Sequence, residues 1–207
     1  MRAVAVVLIL LVSLPGCGSE ETKLSAEEWR KRGDASFFAA DELMENVDPK
    51  SGAETSGVAG VDPDALRAEA VRAYVEAGNS FIRAFRLEDP LPERRELRGM
   101  TAFRIGRALS NAARQGVTHP HRDTLARRAV DWFGEALNLL PALHAAEFER
   151  AELYDSEIAE VRDLYRARDA YGRFLEASPS DSAQAPVLAR LQEIAARRHA
   201  ALTKQLD

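Results

Sequence analysis

The stretch "AVDWFGEALNLLP", residues 129–141, sets Ala129, Phe133, Ala136 and Pro141 at steps of four, three and five. Steps of four and three keep side chains on one face of an α-helix. On such a face a small residue lets a neighbouring helix approach, and an aromatic one turn later fills the space beside it. A proline past the end stops the helix. "ARDAYGRFLEASP", residues 167–179, repeats the same steps with Ala167, Tyr171, Phe174 and Pro179. Ala77, Phe81 and Ala84 repeat them a third time, with Asp89-Pro90 bringing the proline one place late.

Around these segments the chain reads as helix throughout. Ala, Leu, Glu and Arg, all strong helix formers, dominate, and no alternating β-branched pattern occurs. Seven helices are expected. The first opens on Ser25 and Glu28, a capping box with Leu24 placed to staple onto Trp29, and runs to about Asn46. Residues 48–64, with three glycines and two prolines, form the one clear long loop. The second helix opens at Asp62-Pro63, a cap followed by proline at the first helical position, and ends near Glu88. The third runs from about Pro92 to a glycine cap at Gly116. The fourth begins at Pro120 or just after and ends before Pro141. The fifth covers about 142–156 and the sixth 161–177. The seventh covers 183–205, with Val187, Leu191, Ile194, Ala195 and Leu202 as its apolar stripe and Arg190, Glu193 and Arg197 toward water.

The recurring small–aromatic–proline pattern resembles the second helix of the tetratricopeptide repeat, a unit of about 34 residues. Partners for the first helix of that unit are Trp29 with Gly33, Ile105-Gly106 with Leu109, and Ala151 with Tyr154. The resemblance spans about residues 25–180 as three irregular pairs. It implies an all-α fold, an α-solenoid of about three helix pairs plus a C-terminal capping helix, over residues 24–207. It also implies a binding face, because the first helix of each pair lines the concave wall in that family. Offsets from Gly106 select Phe103, Arg107 and Asn111. The same offsets from Gly33 and Ala151 select Arg30 and Asp34, then Phe148 and Glu152. An aromatic between charged groups can grip an extended protein or peptide partner, with Arg107 taking a carboxylate in a fork.

The N-terminus reads as an address. Met1-Arg2 supplies one positive charge, and residues 3–14 are apolar but for Ser13, too short a run to span a bilayer. Leu14, Gly16 and Cys17 resemble the lipobox of bacterial lipoproteins, with Pro15 where a small or β-branched residue is more usual. The resemblance implies a signal peptide over 1–16, cleavage before Cys17, acylation of that cysteine, and a polar tether over 17–23. With Gly18 rather than aspartate after the cysteine, a Gram-negative source implies the outer membrane, facing the periplasm. Cys17 is the lone cysteine, so no disulfide is possible within the chain. Loss of the leader leaves 191 residues, enough for one domain with a real core. It leaves 27 basic residues, 28 less Arg2, against 33 acidic ones, a poor balance for nucleic-acid binding.

Chemistry-bearing motifs are few. His119 and His121 with Asp123 have the residue types of a metal site with open positions, or of a helix entry. No Gly-x-Ser-x-Gly elbow and no GxxxxGK loop is present. The expectation is therefore a membrane-anchored scaffold without catalysis or cofactor. Two alternatives stand beside it: a metal-binding or enzymatic all-α lipoprotein centred on His119 and His121, and a structural helical bundle with one core. Residues 94–128 hold nine arginines against Glu96 and Asp123, and residues 145–163 hold seven acids against Arg150 and Arg162. These segments either orient a partner or pair with each other.

The leader generates a direct test. Cys17→Ser is expected to leave the domain folded by circular dichroism and to release it from membranes on fractionation, because two or three acyl chains supply the stable attachment. An unmodified Cys17 on the mature chain by mass spectrometry would sink the lipid reading.

Overall fold

In a computed structural model, residues 24–47, 62–176 and 185–207 are described, and they form seven α-helices and no strand. The helices are α1 (Ala26–Val47), α2 (Pro63–Leu87), α3 (Arg95–Gln115), α4 (Arg122–Leu139), α5 (His144–Tyr154), α6 (Leu164–Glu176) and α7 (Ala185–Leu206). A single 3-10 turn, Pro92–Arg94, leads into α3. The leader, Cys17, the tether and most of the 48–64 loop lie outside the described residues.

The local signals at the helix starts act as the residue types require. Ser25 and Glu28 close the capping box: the Ser25 backbone N–H donates to Glu28 Oε2 at 2.8 Å, and the Glu28 N–H donates to Ser25 Oγ at 3.3 Å. The Asp62 side chain accepts from the Asp64 N–H at 3.0 Å, with Pro63 at the first helical position.

α4 starts at Arg122, just after Pro120, capped by His121 without a side-chain bond, so Asp123 adds only a favourable charge to the first turn. Two helices differ in extent from the sequence reading. α5 is shorter than expected. α6 starts at Leu164 because residues 155–163 close back on α5: the Asp163 N–H donates to Tyr154 O at 2.9 Å, burying Ile158 and Val161 in the connection. The Asp163 carboxylate then accepts from the Arg166 N–H, an N-cap that the sequence carried unread. Gly116 does end α3, but at φ −84°, outside the left-handed region. Glycine is needed there for space, since a Cβ would come within 2.7 Å of Ala112 O and 2.9 Å of His119 Cβ.

Consecutive helices pack against one another, and α1–α2, α2–α3, α3–α4 and α5–α6 meet start to end, antiparallel. The closest approaches occur at the small residues. A Cβ on Gly33 of α1 would meet the Phe81 ring of α2 at 2.6 Å, and one on Gly106 of α3 would meet the Phe133 ring of α4 at 2.6 Å. In the third pair Tyr171 of α6 lies over α5 on both sides of the buried Ala151, touching Phe148 and Glu152. Phe133 and Tyr171 are both 0 % exposed. Buried residues fall into two clusters, one from α1–α4 with Ala146 and Leu153 of α5 and Ile158 and Val161 of the connection after it, the other from α5–α7, with half-buried Val130 packed on both. In α7 Ala195 and Leu202 are buried, Leu191 and Ile194 pack beside them, and Arg190, Glu193 and Arg197 are exposed.

The seats can be tested with paired glycines. Gly134, on the outer side of α4, has nothing within 4 Å of an added Cβ. Gly134→Ala is expected to stabilise by roughly 0.5–1 kcal/mol through helix propensity. Gly106→Ala gains the same propensity but forces the Phe133 ring aside, for a net loss of about 1–2 kcal/mol. Phe133→Ala is expected to cost about 3–5 kcal/mol. Urea unfolding of the three variants decides; equal effects at the two glycines would remove the close approach at Gly106.

Candidate functional site

Of the residues singled out on α1, α3 and α5, Asp34 and Arg107 take part in polar contacts that tie these helices together. Asp34 of α1 accepts from Arg104 of α3 at 3.2 Å. The Arg107 guanidinium of α3 sits 5.3 Å over the Phe37 ring of α1, and its Nε lies 3.8 Å from Glu149 of α5. Arg114, two turns further along α3, pairs with the same Glu149 at 3.2 Å. Arg107 and Asn111 face the Tyr74 hydroxyl, which donates to Asp41 of α1 at 2.5 Å.

The other selected residues have internal roles. Arg30 is ion-paired with Glu88, a buried carboxylate just past α2 that also accepts from Thr101 of α3 at 3.2 Å. This junction joins α1, α2 and α3, and nothing in the local sequence marked Glu88 as buried. Glu152 accepts from the Tyr171 hydroxyl at 2.5 Å. Phe148 is only 8 % exposed, its ring against Tyr171 and Phe174, and half-buried Phe103 packs on Phe133. The aromatics expected to grip a partner are instead packing under the neighbouring helix, because each seat leaves its flanking rings covered. Arg107 remains exposed and Asn111 half-exposed.

The separated charges meet in part, three of the nine arginines reaching two of the seven acids. Arg107 and Arg114 reach Glu149, and Arg127 pairs with Glu160. Further arginines in 94–128 serve helix ends. Arg95 donates to Leu139 O and Asn138 O, Arg98 to Phe85 O and Glu88 O, and Arg122 to Ala113 O. A guanidinium at a helix C-terminus satisfies orphan carbonyls and complements the helix dipole.

Between the start of α2 and the end of α3 with the turn after it lies a cleft of about 980 Å³. Arg67, Arg72, Arg114, His119 and one acid, Asp64, contribute its charged and titratable lining. His119 lies at its edge, its ring centroid 5.7 Å from that of His121. His119 Nδ1 accepts from the His121 backbone N–H at 3.2 Å, a bond that serves the turn into α4. Among the described residues no three His, Cys, Asp or Glu side chains are grouped to hold a metal ion. None of the described helices is long and apolar enough to cross a membrane.

Two tyrosines are held neutral. Burial first, then the hydrogen bond to Glu152, pushes the Tyr171 hydroxyl far above its ordinary range. Burial, then Asp41, does the same for Tyr74. A raised folded-state pKa gives stability that is whole below the unfolded value of about 10 and falls as pH rises above it. Tyr171→Phe is therefore expected to cost about 1.5 kcal/mol at pH 7 and to flatten the decline above about pH 10. Urea unfolding at pH 7 and 11 measures both; parallel pH profiles for wild type and variant would count against it.

No family model matches the chain, and no curated protein or solved structure matches it at a significant level.

Proposed function

We propose that the chain is an exported lipoprotein, anchored through Cys17, whose helical domain is a tetratricopeptide-like α-solenoid that holds a protein or peptide partner at a membrane surface. The observation that carries the fold part is the recurring seat: Gly33 under Phe81, Gly106 under Phe133, and Ala151 at the part of α5 that Tyr171 covers. One aromatic closing each antiparallel pair at the same place is what a repeated unit requires. The division of the core into two clusters along the chain supports the same reading over a bundle with one central core.

The binding part is supported by the side that α1, α3 and α5 share. It carries Arg107, exposed, and Asn111, half-exposed, and Arg114 two turns further along α3 lines the arginine-bordered cleft. A partner segment with acidic or carboxylate groups suits that lining, even though the whole chain is acidic at −5. Nucleic acid is not part of the proposal, and neither is catalysis. The histidine pair is read as the entry of α4, since one of its ring nitrogens already serves the turn.

Arg107→Glu with Asn111→Ala tests the face. Both side chains are at least partly exposed, so the double variant is expected to fold, with unfolding midpoint near wild type. Its affinity for the partner recovered by cross-linking from native membranes is expected to fall tenfold or more, about 1.4 kcal/mol. A folded double variant that binds at full affinity moves the site elsewhere.

A further inference from the structure

We propose that the end of the domain carrying the α2–α3 turn rests on the lipid surface to which the chain is tethered. This inference depends on the lipid anchor at Cys17. The starts of α1 and α3 and the ends of α2 and α4 lie at one end of the domain. Arg30 near the start of α1 pairs with Glu88 just past α2. Arg98 near the start of α3 donates to Phe85 O and Glu88 O, and Arg95 beside it donates to the last carbonyls of α4. The chain enters the described structure at this end, at Leu24.

The same end carries an exposed apolar turn. Of the five large hydrophobic residues exposed among the described residues, Leu87 (55 %) and Leu91 (53 %) are the two that share a turn, "LEDPLPE". Arg86, Asp89, Glu93 and Arg94, all exposed, alternate around them and cancel in charge. Two leucines among balanced charges do not suit a strongly charged partner. They suit the boundary of a lipid layer, where leucine side chains leave water and the flanking charges stay at headgroup level.

The tether commits the occupant. Ser25 lies eight positions after Cys17. That spacing spans at most roughly 28 Å. α3 alone, at 21 residues, is roughly 30 Å long. An anchored Cys17 therefore keeps the leucine turn beside the lipid and the arginine-bordered cleft a helix length away. Two leucines would hold a free protein to a membrane only weakly. A short tether makes their contact intramolecular, at an effective concentration near the millimolar range. The arrangement turns the cleft outward, where a partner can reach it.

The full acylated chain in vesicles of phosphatidylethanolamine and phosphatidylglycerol gives the test. Acylation occupies the Cys17 sulfur, so Leu91→Cys adds one free thiol for an environment-sensitive fluorophore, and Val117→Cys, past the far end of α3, adds one in a parallel sample. Both positions are exposed, and circular dichroism checks that both variants fold. Vesicles doped with a lipid nitroxide at shallow depth are expected to quench the label at 91 several-fold more than the label at 117. Adding Leu87→Glu is expected to reduce the quenching at 91. A chain that floats with the vesicles and shows equal or no quenching at the two positions overturns this inference alone. A chain that does not float, with Cys17 unmodified by mass spectrometry, overturns the anchor and this inference with it.

Discussion

Helices α1–α4 of this protein come closest where a side chain is missing. At Gly33 and Gly106 the ring of the next helix occupies the space a Cβ would take, at 2.6 Å. The depth of that approach sets the rest. It buries Phe81 and Phe133 completely or nearly so, and it brings the flanking alanines of α2 and α4 into the interface. It also fixes which face of each odd-numbered helix is left outward. Two further glycines work the same way from the other side: Gly78 lies under Leu109, and Gly99 lies under Leu140. Glycine weakens a helix by about 1 kcal/mol relative to alanine, so four of them inside helices are explained by packing and not by local preference.

The arginines complete what the glycines begin. Antiparallel helices joined by short turns leave carbonyls at their C-terminal ends, often half-covered by the next helix. Arg98 and Arg122 each reach across a turn to such carbonyls, Arg95 reaches those at the end of α4, and Arg98 also lies 4.1 Å over the Phe85 ring. Arginine suits this position because its guanidinium spreads several donors over a plane and remains charged at any working pH. A chain with a net charge of −5 can thus carry an arginine-rich α3 without presenting a strongly basic surface. The exposed ion pairs among these residues each contribute little, about 0–1 kcal/mol, so their role is in register more than in stability.

The two ends of the domain differ in chemistry. Where α1 enters, leucines and balanced charges face outward. Where α3 leaves, a cleft bordered by Arg67, Arg72 and Arg114 opens. Helix α3 connects them. In the proposed arrangement, which adds the lipid contact of the α2–α3 turn to the proposed function, the first end belongs to the membrane and the second to a partner, with the helix length of α3 as the spacer.

Helix content, the capping box at Ser25, the Asp62-Pro63 start and the small–aromatic steps were legible in the sequence, because each rests on contacts within a few residues or on the helical period. Gly33 and Gly106 could be picked out as small positions, and Phe133 and Tyr171 as buried, for the same reason. The start of α6 at Leu164 was missed although Asp163 signals it, since the apolar Val161 reads equally well as helix or as buried connection. The site was less legible. Phe103 and Phe148 have the spacing of an outward row, yet helical phase alone does not say how far the neighbouring helix reaches around; the packing covers one almost wholly and the other in part. The burial of Glu88, the meeting of Arg107 and Arg114 at Glu149, and the cleft beside Gly116 join residues from 10 to 58 positions apart. Such contacts have no period to read. They depend on the distance and angle at which separate helices meet, which the chain acquires only on packing.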